Sequence, residues 1–178
     1  MPNVDTNHTG CAGKPLHALA ARLERDHRPL RIELPLIVRL AEEAIARDGR
    51  QHPQLLPEIH LAATLLRDAV VSHFDHEDAL LFPSIRLLED GADTWALDLR
   101  QLIPELRREH RQIEGLIAQL RIITGGFAAR GSPLMRTLFA ALEGTARDLE
   151  VHFAEEEQTL LPRAMALQHD RGVHQPMV

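Results

Sequence analysis

Apolar residues recur at three- and four-residue spacing in four long stretches of the chain, and each stretch reads as an amphipathic helix. The first stripe is Leu16, Ala20, Leu23, His27, Leu30, Leu34, Ile37 and Ala41, closed by Asp48-Gly49 and His52-Pro53. The second is Ile59, Ala62, Leu66, Val70, His73, Glu77 and Leu80, closed near Asp90-Gly91. The third is Leu99, Ile103, Leu106, His110, Ile113, Ile117 and Leu120, closed at Gly125-Gly126, and the fourth is Leu138, Leu142, Thr145, Leu149, His152, Glu156 and Leu160. Glycine after the last periodic residue is the usual stop signal. Four such helices with short connections predict an all-α fold, an up-down-up-down four-helix bundle.

Residues 16–89 and 99–165 read as one helical hairpin used twice. Neither half can cover its apolar face alone, so residues 14–168 are expected to form a single domain. Residues 1–13 are expected to be a disordered leader and 169–178 a flexible polar tail. Five prolines, Pro29, Pro35, Pro83, Pro104 and Pro162, fall inside or at the ends of the stripes. A proline in a helix interior costs about 3 kcal/mol and usually kinks it. Pro29 and Pro35 therefore make the first helix the least secure of the four, and Pro83 and Pro162 predict equivalent distortions in the second and fourth.

Each stripe is broken at a core position by a residue that does not belong in a core. His27, His73, Glu77, His110, His152 and Glu156 all fall on the faces assigned to the interior. His73-Phe74 with Glu77 and Pro83 recurs as His152-Phe153 with Glu156 and Pro162, at a constant offset of 79 residues (73 to 152, 77 to 156). Leu23-Glu24-Arg25-Asp26-His27-Arg28 is echoed by Leu106-Arg107-Arg108-Glu109-His110-Arg111. Residues i and i+4 lie about 40° apart around a helix and about 6 Å along it, so each HxxxE aims an imidazole and a carboxylate inward from adjacent turns. A buried carboxylate with no partner costs several kcal/mol, and bound cations remove that cost by turning the anions into ligands. The duplication predicts two metals near a pseudo-twofold axis, each with two His, bridged by Glu77 and Glu156 and an oxo or hydroxo group. Imidazole and carboxylate without thiolate favour two iron ions, with manganese or zinc as alternatives.

A single buried histidine is more often a core residue bonded to backbone than a ligand; four on four stripes, two of them in a repeated HxxxE, reverse that. His60 lies about 19 Å along the helix from His73 and is not expected at the site. His76 sits on the flank of the stripe, as an outer contact or a surface residue. Glu114 repeats the HxxxE spacing from His110 but reads as a solvated helix charge, and Glu155 and Glu157 read as outward. Phe74 and Phe153 are expected to pack the core or to line an apolar pocket over the metals.

Composition narrows the picture further. The chain has 178 residues, with 20 Lys and Arg against 26 Asp and Glu and a net charge of −6. With no basic run, nucleic acid is not an expected partner. The apolar runs are too short for a membrane span, so a cytoplasmic protein is expected. One cysteine, Cys11, permits neither an intramolecular disulfide nor a cysteine-held cluster. Tyrosine is absent, which removes a tyrosyl-radical role.

These residues together resemble the hemerythrin-like, or HHE cation-binding, domain over nearly the whole chain. His27 with Leu34-Pro35 seven residues on, His73 and Glu77, Glu109-His110, and His152 and Glu156 are most similar to the iron–sulfur cluster repair di-iron proteins. The resemblance implies that His27, His73, Glu77, His110, His152 and Glu156 are the iron ligands. It implies a small diatomic ligand, nitric oxide or dioxygen, damaged iron–sulfur proteins as partners, and a part in nitrosative or oxidative stress response. A gas-binding sensor or storage module, and a peroxide- or nitric-oxide-consuming enzyme, stay open beside that reading, as do monomer and homodimer. The oxygen-carrying hemerythrins differ in using five His with Glu and Asp, and the repair proteins in an N-terminal cysteine pair where this chain has only Cys11.

Overall fold

A computed structural model of the chain describes residues 15–91, 98–128 and 130–173, and among them there is helix and turn but no strand. The expected leader at 1–13, with Cys11, and the last residues of the expected tail lie outside these. Helix α1 spans Leu16–Asp48, α2 Leu55–His76 and α3 Phe82–Glu89. Helix α4 spans Leu99–Thr124, α5 Pro133–Glu155 and α6 Leu161–Val173, so helix continues past residue 168. One π-helical turn, Glu77–Leu81, joins α2 to α3, and another, Glu156–Leu160, joins α5 to α6. Each α–π–α run is one rod, so the architecture is an up-down-up-down bundle of four. The rods pack in a ring: α1 on α2, α2 on α4, α4 on α5 and α5 on α1.

The helix ends follow local chemistry. Ser132 caps α5 by accepting from the Met135 N–H, with Pro133 at the first helical position. Asp98 caps α4 by accepting from the Arg100 N–H. Gly125 closes α4 in the left-handed conformation at φ 69°, where a side chain would be strained. Helix α1 runs unbroken through Pro29 and Pro35; burial of Leu23, Leu30, Leu34, Ile37 and Ala41 outweighs the two lost hydrogen bonds.

Pro83 and Pro162 act one turn earlier than a simple kink would. Without an N–H, and with its ring against the carbonyl four residues back, each proline disfavours α geometry in the turn before it. That turn widens: the Phe82 N–H bonds the Glu77 carbonyl and the Leu161 N–H bonds the Glu156 carbonyl, both five residues back. The wider turn moves the core position along by one, so Leu81 is fully buried while Leu80 is only half-buried.

The apolar interior is in two parts. One contains Leu30, Leu34, Phe74, Ile113, Leu149 and Phe153, and the other Leu16, Leu23, Leu81, Phe82, Leu106 and Leu160. Between them, on every rod, lie the polar core residues: His27 between Leu23 and Leu30, Glu77 between Phe74 and Leu81, His110 between Leu106 and Ile113, Glu156 between Phe153 and Leu160. The bundle thus carries a polar layer across its middle, closed by apolar layers above and below.

Candidate metal centre

All six polar core residues meet in that layer, and each is at most 4% exposed. They form two groups that share both carboxylates: His27, His152, Glu77 and Glu156, and His73, His110, Glu77 and Glu156. Within each group one ligand atom per residue lies within 4.8 Å of every other. Glu77 Oε2 stands 3.3 Å from His27 Nε2 and 3.4 Å from His73 Nε2. Glu156 divides its oxygens, Oε1 at 3.0 Å from His152 Nε2 and Oε2 at 3.3 Å from His110 Nε2. Each carboxylate therefore reaches into both groups.

Donor chemistry decides whether this arrangement fits metal. Three of the four imidazoles turn Nδ1 to a carboxylate at 2.9 Å: His27 to Asp78, His73 to Glu109 and His110 to Glu157. An ionised carboxylate only accepts, so Nδ1 carries the proton, and in the neutral ring Nε2 keeps a bare lone pair. The Nε2 atoms crowd together: those of His73 and His110, with their lone pairs inward, are 3.1 Å apart, and those of His27 and His152 are 3.3 Å apart. All four oxygens of Glu77 and Glu156 are buried without a hydrogen-bond partner among the described residues. Lone pairs and anions converging on two points are repulsive unless a cation stands between them, and buried polar groups of this kind are otherwise rare. The residues fit a pair of bound cations.

Burial and mutual proximity shift these groups in opposite directions. Burial, reinforced by the neighbouring Glu156, pushes the Glu77 carboxyl well above the usual range. Burial also opposes ionisation of Glu156, but His110 and His152 beside it outweigh that and hold its carboxyl low. Burial, with His152 close by, lowers His27 to about 4. Burial lowers His73 as well, against the pull of Glu109. His110 is raised, because Glu156 and Glu157 outweigh the cost of its burial.

Aromatic rings wall the layer. Phe74 stacks on His27 with ring centroids 3.8 Å apart and planes 8° from parallel. Phe153 does the same for His110 at 4.3 Å and 23°. The Phe after each HxxxE histidine thus seals the bare histidine of the neighbouring helix. Arg31 bonds Asp78, Arg107 bonds Glu157, and Arg31 also lies over the Phe74 ring.

Of the residues weighed from sequence, His60 lies away from the site, its Nε2 3.4 Å from Glu42. His76 is an outer contact, its Nδ1 2.7 Å from the second oxygen of Glu109. Glu114 is exposed, and Glu155 pairs with Arg22 at the rim. Glu157 corrects the sequence reading: its carboxylate turns in to His110. An α-helical wheel points residue 157 outward, but the π-helical turn containing it changes that angle. Asp78 in the matching turn is not among the sequence candidates, and Glu109 stands there only beside His110 in the repeated motif, with no role of its own. An acid directly after each HxxxE, at the same 79-residue offset (78 to 157), was the available signal.

A buried layer of paired imidazoles and shared carboxylates in a four-helix bundle defines a cation-binding helical domain. The chain matches the hemerythrin HHE cation binding domain over residues 18–164, and it belongs to that family. No curated protein sequence matches it. No helix among the described residues is long and apolar enough to cross a membrane.

Proposed function

We propose that the chain holds two iron ions, one at each four-residue group, through His27, His73, Glu77, His110, His152 and Glu156. We further propose that it acts in the cytoplasmic response to nitrosative or oxidative stress, by binding nitric oxide or by supplying iron to damaged iron–sulfur clusters. The observation that carries this reading is the pair of buried groups sharing two carboxylates, whose oxygens have no hydrogen-bond partner among the described residues. A donor set of imidazole and carboxylate without thiolate suits iron better than the cysteine-rich structural zinc type, and manganese fits less well given the share of imidazole.

Bound ferrous iron would supply a redox-active centre with affinity for a diatomic ligand. The protein's own groups prepare for it. Asp78, Glu109 and Glu157 fix the tautomer and ring orientation of three ligands. Phe74, Phe82 and Phe153 are almost fully buried beside the layer and keep bulk water from it. The test is metal analysis of protein purified without oxygen, then titration with nitric oxide and assay of a damaged cluster enzyme. Two irons per chain, with saturable nitric oxide binding or restored cluster activity, is the expected result. Zinc alone, or no metal after reconstitution with iron, overturns it.

A further inference from the structure

The two groups differ behind their ligands. The chain's repeat pairs His73 with His152 (offset 79) and Glu109, just before His110, with Asp26, just before His27 (offset 83). Glu109 accepts from His73 Nδ1 at 2.9 Å. The position of Asp26 is thus the place from which a carboxylate would accept from His152 Nδ1. It does not do so: His152 Nδ1 is buried with no hydrogen-bond partner among the described residues. Aspartate is one methylene shorter than glutamate, and the Asp26 carboxylate instead faces Arg22, with Oδ2 3.7 Å from Nη1. The surroundings reinforce this. Where His76 helps to hold Glu109 in place, the equivalent residue of the other half is Glu155, which binds the same Arg22.

We propose that the two cation positions are unequal, and that Asp26 sets the difference: the position served by His27 and His152 binds its metal more weakly and gives it up first. This rests on the di-iron reading above, and it makes iron supply from one position compatible with a bundle still held by the other. The cause is positional. A ligating imidazole whose second nitrogen donates to a carboxylate is oriented and made more basic, and losing such a partner typically lowers metal affinity about 10- to 100-fold. His27, His73 and His110 have that partner, and His152 lacks it.

The test is an equilibrium titration of metal-free protein with ferrous iron, without oxygen, in competition with a chelator of known affinity. Equilibrium constants are the right readout because rates of release depend on access as well as on affinity. Two ions sharing two carboxylates bind stepwise even at equal positions, so the variants decide. Asp26→Glu is expected to raise the weaker constant about tenfold or more and leave the tighter one unchanged. Glu109→Asp is expected to lower the tighter constant and narrow the gap from the other side. If Asp26→Glu changes neither constant or only the tighter one, or if Glu109→Asp leaves the gap as it was, the inequality does not come from Asp26 and the inference is overturned. Failure of the wild type to bind two ions overturns the di-iron reading together with it.

Discussion

The two halves of the polar layer are copies in backbone and in the six core residues but not in what supports those residues. In both, a π-helical turn begins at the shared carboxylate, a phenylalanine stacks on the neighbouring helix's histidine, and an arginine braces the acid behind it. Yet His73 Nδ1 rests on Glu109 while His152 Nδ1 has no hydrogen-bond partner among the described residues. The difference teaches which parts of a duplicated site hold each other in place. Groups that converge on one point depend on one another, and any one of them lost leaves the others buried and uncompensated. An outer carboxylate supports a single ring, so a methylene can be lost there without collapse of the layer.

The strongest way to break the comparison is to remove what both halves share. Glu156→Ala takes one carboxylate from both groups, and metal content is expected to fall from two ions to none. With it goes the stabilisation that bound metal gives, about 2.7 kcal/mol at free metal 100-fold above its dissociation constant. Metal analysis and melting curves with and without ferrous iron check this. A variant that keeps two ions and the wild-type thermal shift would show that Glu156 is not a ligand.

A smaller effect sharpens the comparison. Removing either ring takes a neighbour from one shared carboxylate, but His73→Ala also takes from Glu109 one of its two imidazole partners, whereas His152→Ala removes an Nδ1 that was unsatisfied. In the metal-free protein His73→Ala is therefore expected to cost about 1 kcal/mol more than His152→Ala. Urea unfolding of both variants measures it, and equal costs would mean that the Glu109 contact contributes nothing to the fold.

The bundle and all six polar core residues were legible in the sequence because helical periodicity places them without knowledge of neighbours. A histidine at position 27 or 110 is conspicuous when the residues three and four away are leucine and isoleucine. The outer contacts were hidden for a different reason. Asp78 and Glu157 lie in turns that leave α geometry, so a helical wheel gives the wrong face for them. The same wheel set Leu80, rather than Leu81, in the core. Glu109 could be read as a surface acid because its role depends on how α4 lies against α2, which periodicity along one helix does not contain. The prolines were visible, but their effect on the preceding turn required the hydrogen bonds of Phe82 and Leu161.

The smallest expected effect concerns the ends of the hairpins, where the halves again differ. Helix α4 is capped by its own Asp98, but α1 is capped from 72 residues away or more: Glu89 accepts from the N–H groups of Leu16 and His17 and pairs with the His17 ring. Burial alone would raise the Glu89 carboxyl, but the hydrogen bonds from His17 and Leu16 outweigh it and hold it below its ordinary value of 4.5. A carboxyl lowered by folding stabilises the fold fully above its unfolded value, and that contribution is lost as pH falls through the folded one. Glu89→Gln is thus expected to cost less than about 1 kcal/mol at neutral pH, solvent screening included. The gap from wild type should shrink as pH drops below 4.5. Asp98→Asn should show little change, because asparagine caps a helix as well as aspartate does. Stability of the three proteins across the acid range tests this, and a gap for Glu89→Gln that stays constant into acid would mean that its charge does not hold α1 to α3.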